Sequence, residues 1–257
     1  MSVHHAAAKG FAAAATTYGR GRPDYPPQVD LWLAERLGVG PGVRVLDLGA
    51  GTGKFTDRLV AMRAETVAVE PVAEMAAALA GRLPAAQVLA GSAEAIPCAD
   101  ACFDAVVCAQ AFHWFATPKA LAEIRRVLKP QGALGLVWNV RDETVDWVRA
   151  LTAIFAPYEG DAPRFHSGAW RSVFPAPGFT PLAVERWPWA HVGPAEDVVL
   201  ARTLSISFIA ALPAEERAKV EARVRRLIET TPALAGGGDV AFPYVTEAYA
   251  CRAEGFA

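Results

Sequence analysis

The chain has little of what marks metal-binding, disulfide-rich or membrane-spanning proteins. Its cysteines show neither paired CxxC spacing nor a companion histidine cluster, so neither a metal site nor a disulfide framework is expected. The most apolar late stretch, residues 198 to 212, is only about 15 residues long and contains Arg202, so it is too short and too polar to span a bilayer. We expect buried thiols in a reducing compartment. The four cysteines are Cys98, Cys102, Cys108 and Cys251.

A dominant sign of charge is also absent. The 257 residues include 25 lysines and arginines against 27 aspartates and glutamates, which gives no electrostatic footprint for nucleic acid or an anionic membrane. A small-molecule partner is therefore expected. The first residues, which include Lys9 and two histidines, lack the leucine-rich hydrophobicity of a secretory signal, so a cytoplasmic location is expected.

A glycine loop follows the first strand-like run of the chain. Residues 43 to 54 read VRVLDLGAGTGK, and alternate glycines allow a ligand to lie directly against the backbone. A phosphate-binding P-loop would need glycine at Leu48 and Ser or Thr at Phe55. A dinucleotide fingerprint would need its last glycine at Lys54. Neither phosphate motif fits the loop, and the failed spacing disfavours a nicotinamide-dependent oxidoreductase.

Two acidic residues accompany this loop at fixed offsets. Asp47 stands two residues before the first glycine, and Glu70 closes the next strand-like run. The pattern resembles the first motif of class I S-adenosylmethionine-dependent methyltransferases. The resemblance implies S-adenosylmethionine as cofactor, with both ribose hydroxyls bound by Glu70. The alternatives are an ordinary tight turn with a surface glutamate, and a methyltransferase-like protein that binds the ligand without transfer. The loop residues implied in cofactor binding are Asp47, Gly49, Ala50, Gly51 and Gly53, followed by Glu70 and Pro71.

Strand-like and helical patterns alternate along the chain, which predicts a parallel sheet with helices on both faces. The resemblance implies an α/β, Rossmann-like, doubly wound sheet of seven strands with an antiparallel last strand and a helical cap. We expect one domain over residues 1–257. Its predicted parts are an N-terminal lid and first helix (1–40), a cofactor-binding core (41–140), cap segments (141–178 and 192–212), and C-terminal strands and helix (179–191 and 213–257). The predicted strands are 43–48, 66–69, 87–89, 103–108, 133–138, 182–187 and 240–249, and residues 129–132 are expected to turn the chain into the fifth.

Two further segments are implied in cofactor binding by the resemblance. Ser92, Ala93 and Glu94 follow the third predicted strand, where the family usually places an Asp or Glu side chain and a backbone amide against adenine. Because Ser92 occupies the usual Asp position, either Ser92 or Glu94 could make the side-chain contact. A polar connecting loop is the alternative. Gln110 stands at the end of the fourth predicted strand, at the sheet edge where ligands bind in open α/β sheets.

A dense aromatic run follows Gln110. His113 lies between large aromatic residues and is the candidate catalytic residue, because an imidazole there is costly to bury without a role. Trp114 and Trp138 are candidate acceptor contacts, and packing is an equal alternative for Trp114. If the acceptor is a hydroxyl or an amine, His113 would act as general base; if it is a carboxylate, His113 would bind or orient it.

The segment from Tyr18 to Pro26 fits the pattern Tyr-x-x-x-Arg-Pro-x-Tyr-Pro. This pattern, and the later His-Trp-Phe at 113 to 115, resemble the trans-aconitate methyltransferase-like group that acts on small acids. The resemblance implies a lid in which Tyr18 and Arg22 meet the cofactor, Tyr25 meets the acceptor, and Arg22 is available to a carboxylate. An ordered proline-rich arm is the alternative. The predicted function is methyl transfer to a small molecule, with a carboxylate oxygen favoured over hydroxyl, carbon or nitrogen.

Overall fold

A computed structural model describes residues 22–254 of the chain. Seven strands form one sheet in the order β3-β2-β1-β4-β5-β7-β6, with β7 antiparallel to both of its neighbours. The predicted fold class is confirmed, including the antiparallel last strand. In chain order the strands are β1 (Arg44–Leu48), β2 (Glu65–Glu70), β3 (Gln87–Ala90), β4 (Phe103–Ala109), β5 (Leu128–Arg141), β6 (Ala183–Pro194) and β7 (Asp239–Arg252).

Helices connect the strands and cover both faces of the sheet. The chain supplies local signals for their ends: Gly38 closes the first helix in the left-handed conformation, and the Thr117 side chain accepts a hydrogen bond from the Ala120 amide at the start of the fourth. The helices are α1 (Gln28–Leu37), α2 (Lys54–Ala61), α3 (Ala73–Arg82), α4 (Pro118–Val127), α5 (Asp146–Phe155), α6 (Arg202–Leu204), α7 (Ser207–Ala210) and α8 (Ala214–Thr230). Short 3₁₀ helices occupy Phe112–Trp114, Ala156–Tyr158 and Ala169–Val173, and a wider π-helical segment occupies Glu196–Ala201.

Alternate residues of the central strands supply two separate cores. Val45 of β1 packs on one face with α1 and α2, whereas Leu46 packs on the other face with α4. A third core joins α5, α8, residues 198–209 and the first half of β7. This third cluster forms a cap beyond the carboxyl end of β5, where β6 and β7 continue to pair with each other. Within residues 22–254, no helix is long and apolar enough to cross a bilayer.

The prediction for the start of β5 was wrong. Leu128 already pairs with Phe103 of β4, and pairing then resumes at Ala133 opposite Ala105, so the expected turn at 129–132 is a bulge inside a longer strand. Gln131 takes a left-handed φ of 64° there, which lets the extra residues loop out without ending the strand. The expectation of buried thiols holds for Cys108 and Cys251, whereas Cys98 and Cys102 are partly exposed.

Candidate active site

The strand order reverses between β1 and β4, and a cavity of about 360 Å³ opens at the carboxyl ends of these strands. The glycine loop between β1 and α2 forms its floor. Gly51 has a φ of 59°, and a side chain at Gly49 would place its Cβ only 2.8 Å from the Cβ of Ala111. The loop can therefore come this close to the segment after β4 only with glycine at that position.

Glu70 ties the loop to the end of β2. The Gly51 amide donates to one carboxylate oxygen over 2.8 Å, and the Val72 amide donates to the other over 2.9 Å. Burial raises the pKa of Glu70, and these two bonds act in the opposite direction. Each oxygen keeps a further lone pair on a side chain that lines the cavity, so the carboxylate can accept two more hydrogen bonds from a ligand.

Asp47 is fully buried, and only one of its two carboxylate oxygens has a hydrogen-bond partner among the described residues. The Thr56 hydroxyl donates to Oδ2 over 2.7 Å, whereas Oδ1 has no hydrogen-bond partner among the described residues. Burial raises the pKa of Asp47 to about 7, with the Thr56 bond lowering it and the nearby Glu70 charge raising it further. A buried oxygen that lines a cavity and lacks a donor is suited to a ligand with an N–H or a positive charge.

Comparison with known proteins identifies the family. A family described as a methyltransferase domain matches residues 46–136. An uncharacterized methyltransferase-like protein of Schizosaccharomyces pombe is 39% identical over 247 residues, covering 96% of each chain. An uncharacterized methyltransferase of Mycobacterium tuberculosis is 43% identical over 239 residues, covering 92% of each. The chain belongs to the class I S-adenosylmethionine-dependent methyltransferases.

The fold agrees with that membership. Haemonchus contortus phosphoethanolamine N-methyltransferase 2, solved in complex with S-adenosyl-L-methionine, superimposes with a TM-score of 0.55 at 16% identity, covering 96% of this chain and 57% of that one. The predicted cofactor, S-adenosylmethionine, is confirmed by the family. The cavity of this methyltransferase fits it, because the orphaned Asp47 oxygen suits an ammonium group and the Glu70 carboxylate suits a pair of hydroxyls.

Most of the predicted cofactor residues meet at this cavity. The loop and β2 contribute Asp47, Gly49, Ala50, Gly51, Glu70 and Pro71 to its lining. The lining also includes Arg22, Ser92, Ala93, Glu94 and Gln110. Two predicted acceptor residues, Tyr25 and Trp114, also line it. Tyr18 lies outside the described residues, as does most of the predicted lid.

Gly53 has a different role from the other two loop glycines. It is not among the described residues that line the cavity. A Cβ at Gly53 would lie 2.0 Å from Cδ1 of Leu79 on α3, and its φ is 84°. Gly53 therefore lets α2 start against α3, and its predicted contact with the cofactor stays a prediction.

The contacts of Ser92, Glu94 and Gln110 refine their predicted roles. The Glu94 carboxylate accepts a hydrogen bond from the Thr117 hydroxyl over 3.2 Å, and Ser92 also lines the cavity, so the adenine contact stays a prediction for either side chain. Gln110 has a φ of 57°, an unusual conformation for a residue with a side chain. The backbone N–H of Gln110 donates to the Val137 carbonyl over 2.8 Å, which holds this strained conformation at the end of β4.

His113 and Trp138 lie behind the cavity wall. Trp138 is 1% exposed and packs between Phe165 and Trp170, and its indole N–H donates to Nδ1 of His113 over 3.1 Å. Because an indole only donates, the neutral imidazole carries its proton on Nε2. Burial, followed by the charges of Arg164, Arg22 and His166, lowers the pKa of His113 to about 3. His113 is therefore neutral at physiological pH and a weak base, and its ring contacts Trp114, which does line the cavity.

Two cationic side chains of the cavity were not predicted. Lys54 and Arg202 line it together with Arg22. The Lys54 ammonium donates to the Arg22 carbonyl, and an Arg22 guanidinium nitrogen donates to the Ser205 carbonyl over 3.2 Å. Lys54 stood in the glycine-loop motif but was used only to exclude a dinucleotide fingerprint. Arg202 lies about 150 residues beyond the loop in a segment without a motif, so only the folded chain reveals its position.

Proposed function

We propose that this methyltransferase transfers the methyl group to a carboxylate oxygen of a small-molecule acid. The observation that carries the proposal is the group of positive side chains at the cavity, Arg22, Lys54 and Arg202. Guanidinium groups bind carboxylates through paired, charge-assisted hydrogen bonds, and a lysine adds a compact charge. Asp47 and Glu70 of the same lining are assigned to the cofactor, and these positive charges attract an anionic acceptor.

The protonation state of His113 also favours a carboxylate. A carboxylate is nucleophilic without losing a proton, so its methylation needs no general base. His113, with a pKa of about 3 and its Nδ1 bonded to Trp138, is poorly suited to accept a proton from a hydroxyl or an amine. We assign His113 a positioning role, in which the imidazole supports Trp114 at the cavity wall.

The reaction is an in-line displacement. The bound sulfonium supplies the methyl group, the carboxylate oxygen forms the new C–O bond, and the electrons of the broken C–S bond remain on sulfur. The residues of the chain have two tasks, to align the acceptor and to keep water out. Such alignment contributes roughly 7–11 kcal/mol in favourable cases. The partly exposed thiols of Cys98 and Cys102 fit a reducing compartment, and we place the reaction in the cytoplasm.

Product chemistry tests the proposal directly. The protein is incubated with methyl-labelled cofactor and a panel of small carboxylic acids, phenols and amines, and products are identified by mass spectrometry. We expect label in a product that mild alkali hydrolyses, as a methyl ester requires. Label found only in alkali-stable ethers or methylamines would refute carboxylate transfer.

A variant of Glu94 makes the test sharper. Asp47 and Glu70 are assigned to the cofactor, so Glu94 is the acidic side chain of the cavity lining that is left to serve as base for a hydroxyl or amine acceptor. Glu94→Gln keeps the size and the bond to Thr117. At saturating cofactor, kcat for a carboxylate acceptor should change little even if Glu94 contacts adenine, whereas loss of a general base would lower kcat by roughly 10²- to 10⁴-fold.

A further inference from the structure

Residues 22 to 25 form a short segment before α1 that belongs to no helix or strand. Arg22, Pro23 and Tyr25 of this segment line the cofactor cavity. Three of its backbone carbonyls each accept a hydrogen bond from a side chain elsewhere in the fold. Because such a segment has no ladder of backbone hydrogen bonds, these side chains fix its course. The donors are the Lys54 ammonium to the Arg22 carbonyl, Asn139 Nδ2 to the Asp24 carbonyl over 3.0 Å, and Arg58 Nη2 to the Tyr25 carbonyl over 2.8 Å.

Asn139 differs from the other two donors in where it lies. Lys54 and Arg58 are both on α2, whereas Asn139 is near the carboxyl end of β5. Its side chain is half-buried, and it is not among the described residues that line the cavity. Asn139 therefore binds the segment to the central sheet, and the other two donors bind it to the helix that follows the glycine loop.

The orientation of the Asn139 amide is fixed by β7. Thr246 lies directly opposite Asn139 in register and is fully buried. Its hydroxyl donates to Asn139 Oδ1 over 2.6 Å. The opposite orientation of the amide would bring Oδ1 against the Asp24 carbonyl oxygen, so two acceptors would face each other. The contact with Thr246 thus leaves Nδ2 directed at the Asp24 carbonyl.

The end of β5 also contacts Gln110 on the opposite strand β4. The Val137 carbonyl accepts from the Gln110 backbone N–H over 2.8 Å. The Asn139 carbonyl accepts from Gln110 Nε2 over 3.5 Å, near the upper limit for a hydrogen bond. Gln110 lines the cavity. Asn139 therefore contacts two parts of the cavity wall, Gln110 through its backbone and the segment 22 to 25 through its side chain.

We propose that Asn139 is a positioning residue for methyl transfer, which acts by fixing Pro23 and Tyr25 at the cavity through its bond to the Asp24 carbonyl. Pro23 and Tyr25 flank Asp24 and are both buried, so a displacement of this carbonyl displaces them as well. The glycine loop and Glu70 do not depend on Asn139, so its loss should affect alignment of the acceptor and exclusion of water more than cofactor affinity. The inference rests on methyl transfer itself and applies to any class of acceptor.

Turnover and cofactor binding, measured separately, test this role. Asn139→Asp keeps the size of the side chain and an acceptor for the Thr246 hydroxyl, but it has no N–H for the Asp24 carbonyl. The acceptor is the compound of the panel above that takes up most label. At saturating cofactor and acceptor, kcat should fall about 10- to 100-fold, because a misplacement of about 1 Å can cost about 10²-fold in rate. The dissociation constant of S-adenosylhomocysteine should change by less than about threefold. Gln131→Glu makes the same amide-to-acid change at an exposed position near the other end of β5 and is the matched control.

A second variant and a second measurement separate positioning from a general structural role. Asn139→Ala removes the donor without adding a charge, and it should lower kcat to a similar extent. Hydrogen-exchange mass spectrometry on the complex with S-adenosylhomocysteine needs no acceptor. Exchange should become faster in the peptide that contains Asp24 and Tyr25, and stay unchanged in peptides of β5 and β7.

Three results would overturn the proposal. They are a wild-type kcat in either Asn139 variant, a loss of cofactor affinity as large as the loss of kcat, and exchange that rises equally in β5, β7 and the segment 22 to 25. If the labelled product is an ether or a methylamine and kcat still falls in both variants, the positioning role stands and the proposed carboxyl transfer fails.

Discussion

The half-satisfied carboxyl group of Asp47 should make cofactor binding depend on pH. Its pKa of about 7 means that the ionised share falls from about nine-tenths at pH 8 to about one-tenth at pH 6. A ligand ammonium beside Oδ1 favours the ionised form. The apparent dissociation constant should therefore rise about tenfold between pH 8 and pH 6, equivalent to about 1.4 kcal/mol.

The Asp47 carboxyl group should also make the free energy of unfolding depend on pH. Stability should fall as pH rises, whereas cofactor affinity should increase. The pKa of Asp47 is raised from 3.8 to about 7 in the fold, so the native chain holds this proton more tightly than the unfolded chain does. The contribution is fully present below about pH 4 and is lost as pH rises towards 7, a loss of up to about 4 kcal/mol. Asp47→Asn does not titrate, and its amide oxygen can still accept from Thr56. The ligand-free variant should therefore gain stability over the wild type between pH 5 and pH 8.

Two measurements check this prediction. In calorimetric titration with S-adenosylhomocysteine, the dissociation constant of the wild type should rise about tenfold between pH 8 and pH 6. In Asp47→Asn this rise should be lost. The ligand's own titration is common to both proteins, so the ratio of their dissociation constants isolates Asp47. Denaturant unfolding without ligand should show the stability difference. A dissociation constant that varies with pH equally in both proteins would refute the reasoning.

Three further variants test the loop and the aromatic wall. Glu70→Ala should weaken cofactor binding by roughly 1.5–3 kcal/mol for each lost charge-assisted bond; unchanged calorimetric affinity in a folded variant would remove Glu70 from the site. Gly53→Ala should destabilise the fold by about 1–3 kcal/mol in denaturant unfolding because of the contact with Leu79, whereas Gly81→Ala, with open space around its Cβ, should not. His113→Asn should mainly raise the acceptor KM; a kcat loss of roughly 10²-fold or more with normal acceptor binding would contradict the positioning role.

The sequence predicted the sheet and the cofactor end of the site because both depend on local patterns. Apolar runs and the intervening helical periodicity identify buried parallel strands, and parallel strands bring their carboxyl ends to one edge. Asp47, the glycine loop and Glu70 all lie at such ends, so their meeting followed from chain order alone. The bulge at 129–132 was missed because lysine, proline, glutamine and glycine favour a turn as much as a bulge.

The cationic side of the cavity was less predictable because its residues are distant in sequence. Arg22 precedes the first helix, Lys54 begins α2 and Arg202 follows β6, so only the folded chain brings them to one cavity. Arg202 belongs to a short helix in the cap, where sequence periodicity gives no direction for a side chain.

The placement of His113 shows how packing changes the chemistry inferred from a motif. Between aromatic neighbours in sequence, the imidazole suggested a catalytic base or an acceptor ligand. In the fold, the Trp138 indole uses its Nδ1, and burial near Arg164 and Arg22 keeps the ring neutral. The positive side chains of Arg22, Lys54 and Arg202 and the neutral His113 together favour an acceptor that is an anion and needs no deprotonation. If kcat for a carboxylic acid shows no inflection attributable to His113 between pH 6 and pH 8, while His113→Asn changes KM alone, both features are explained by one acceptor chemistry.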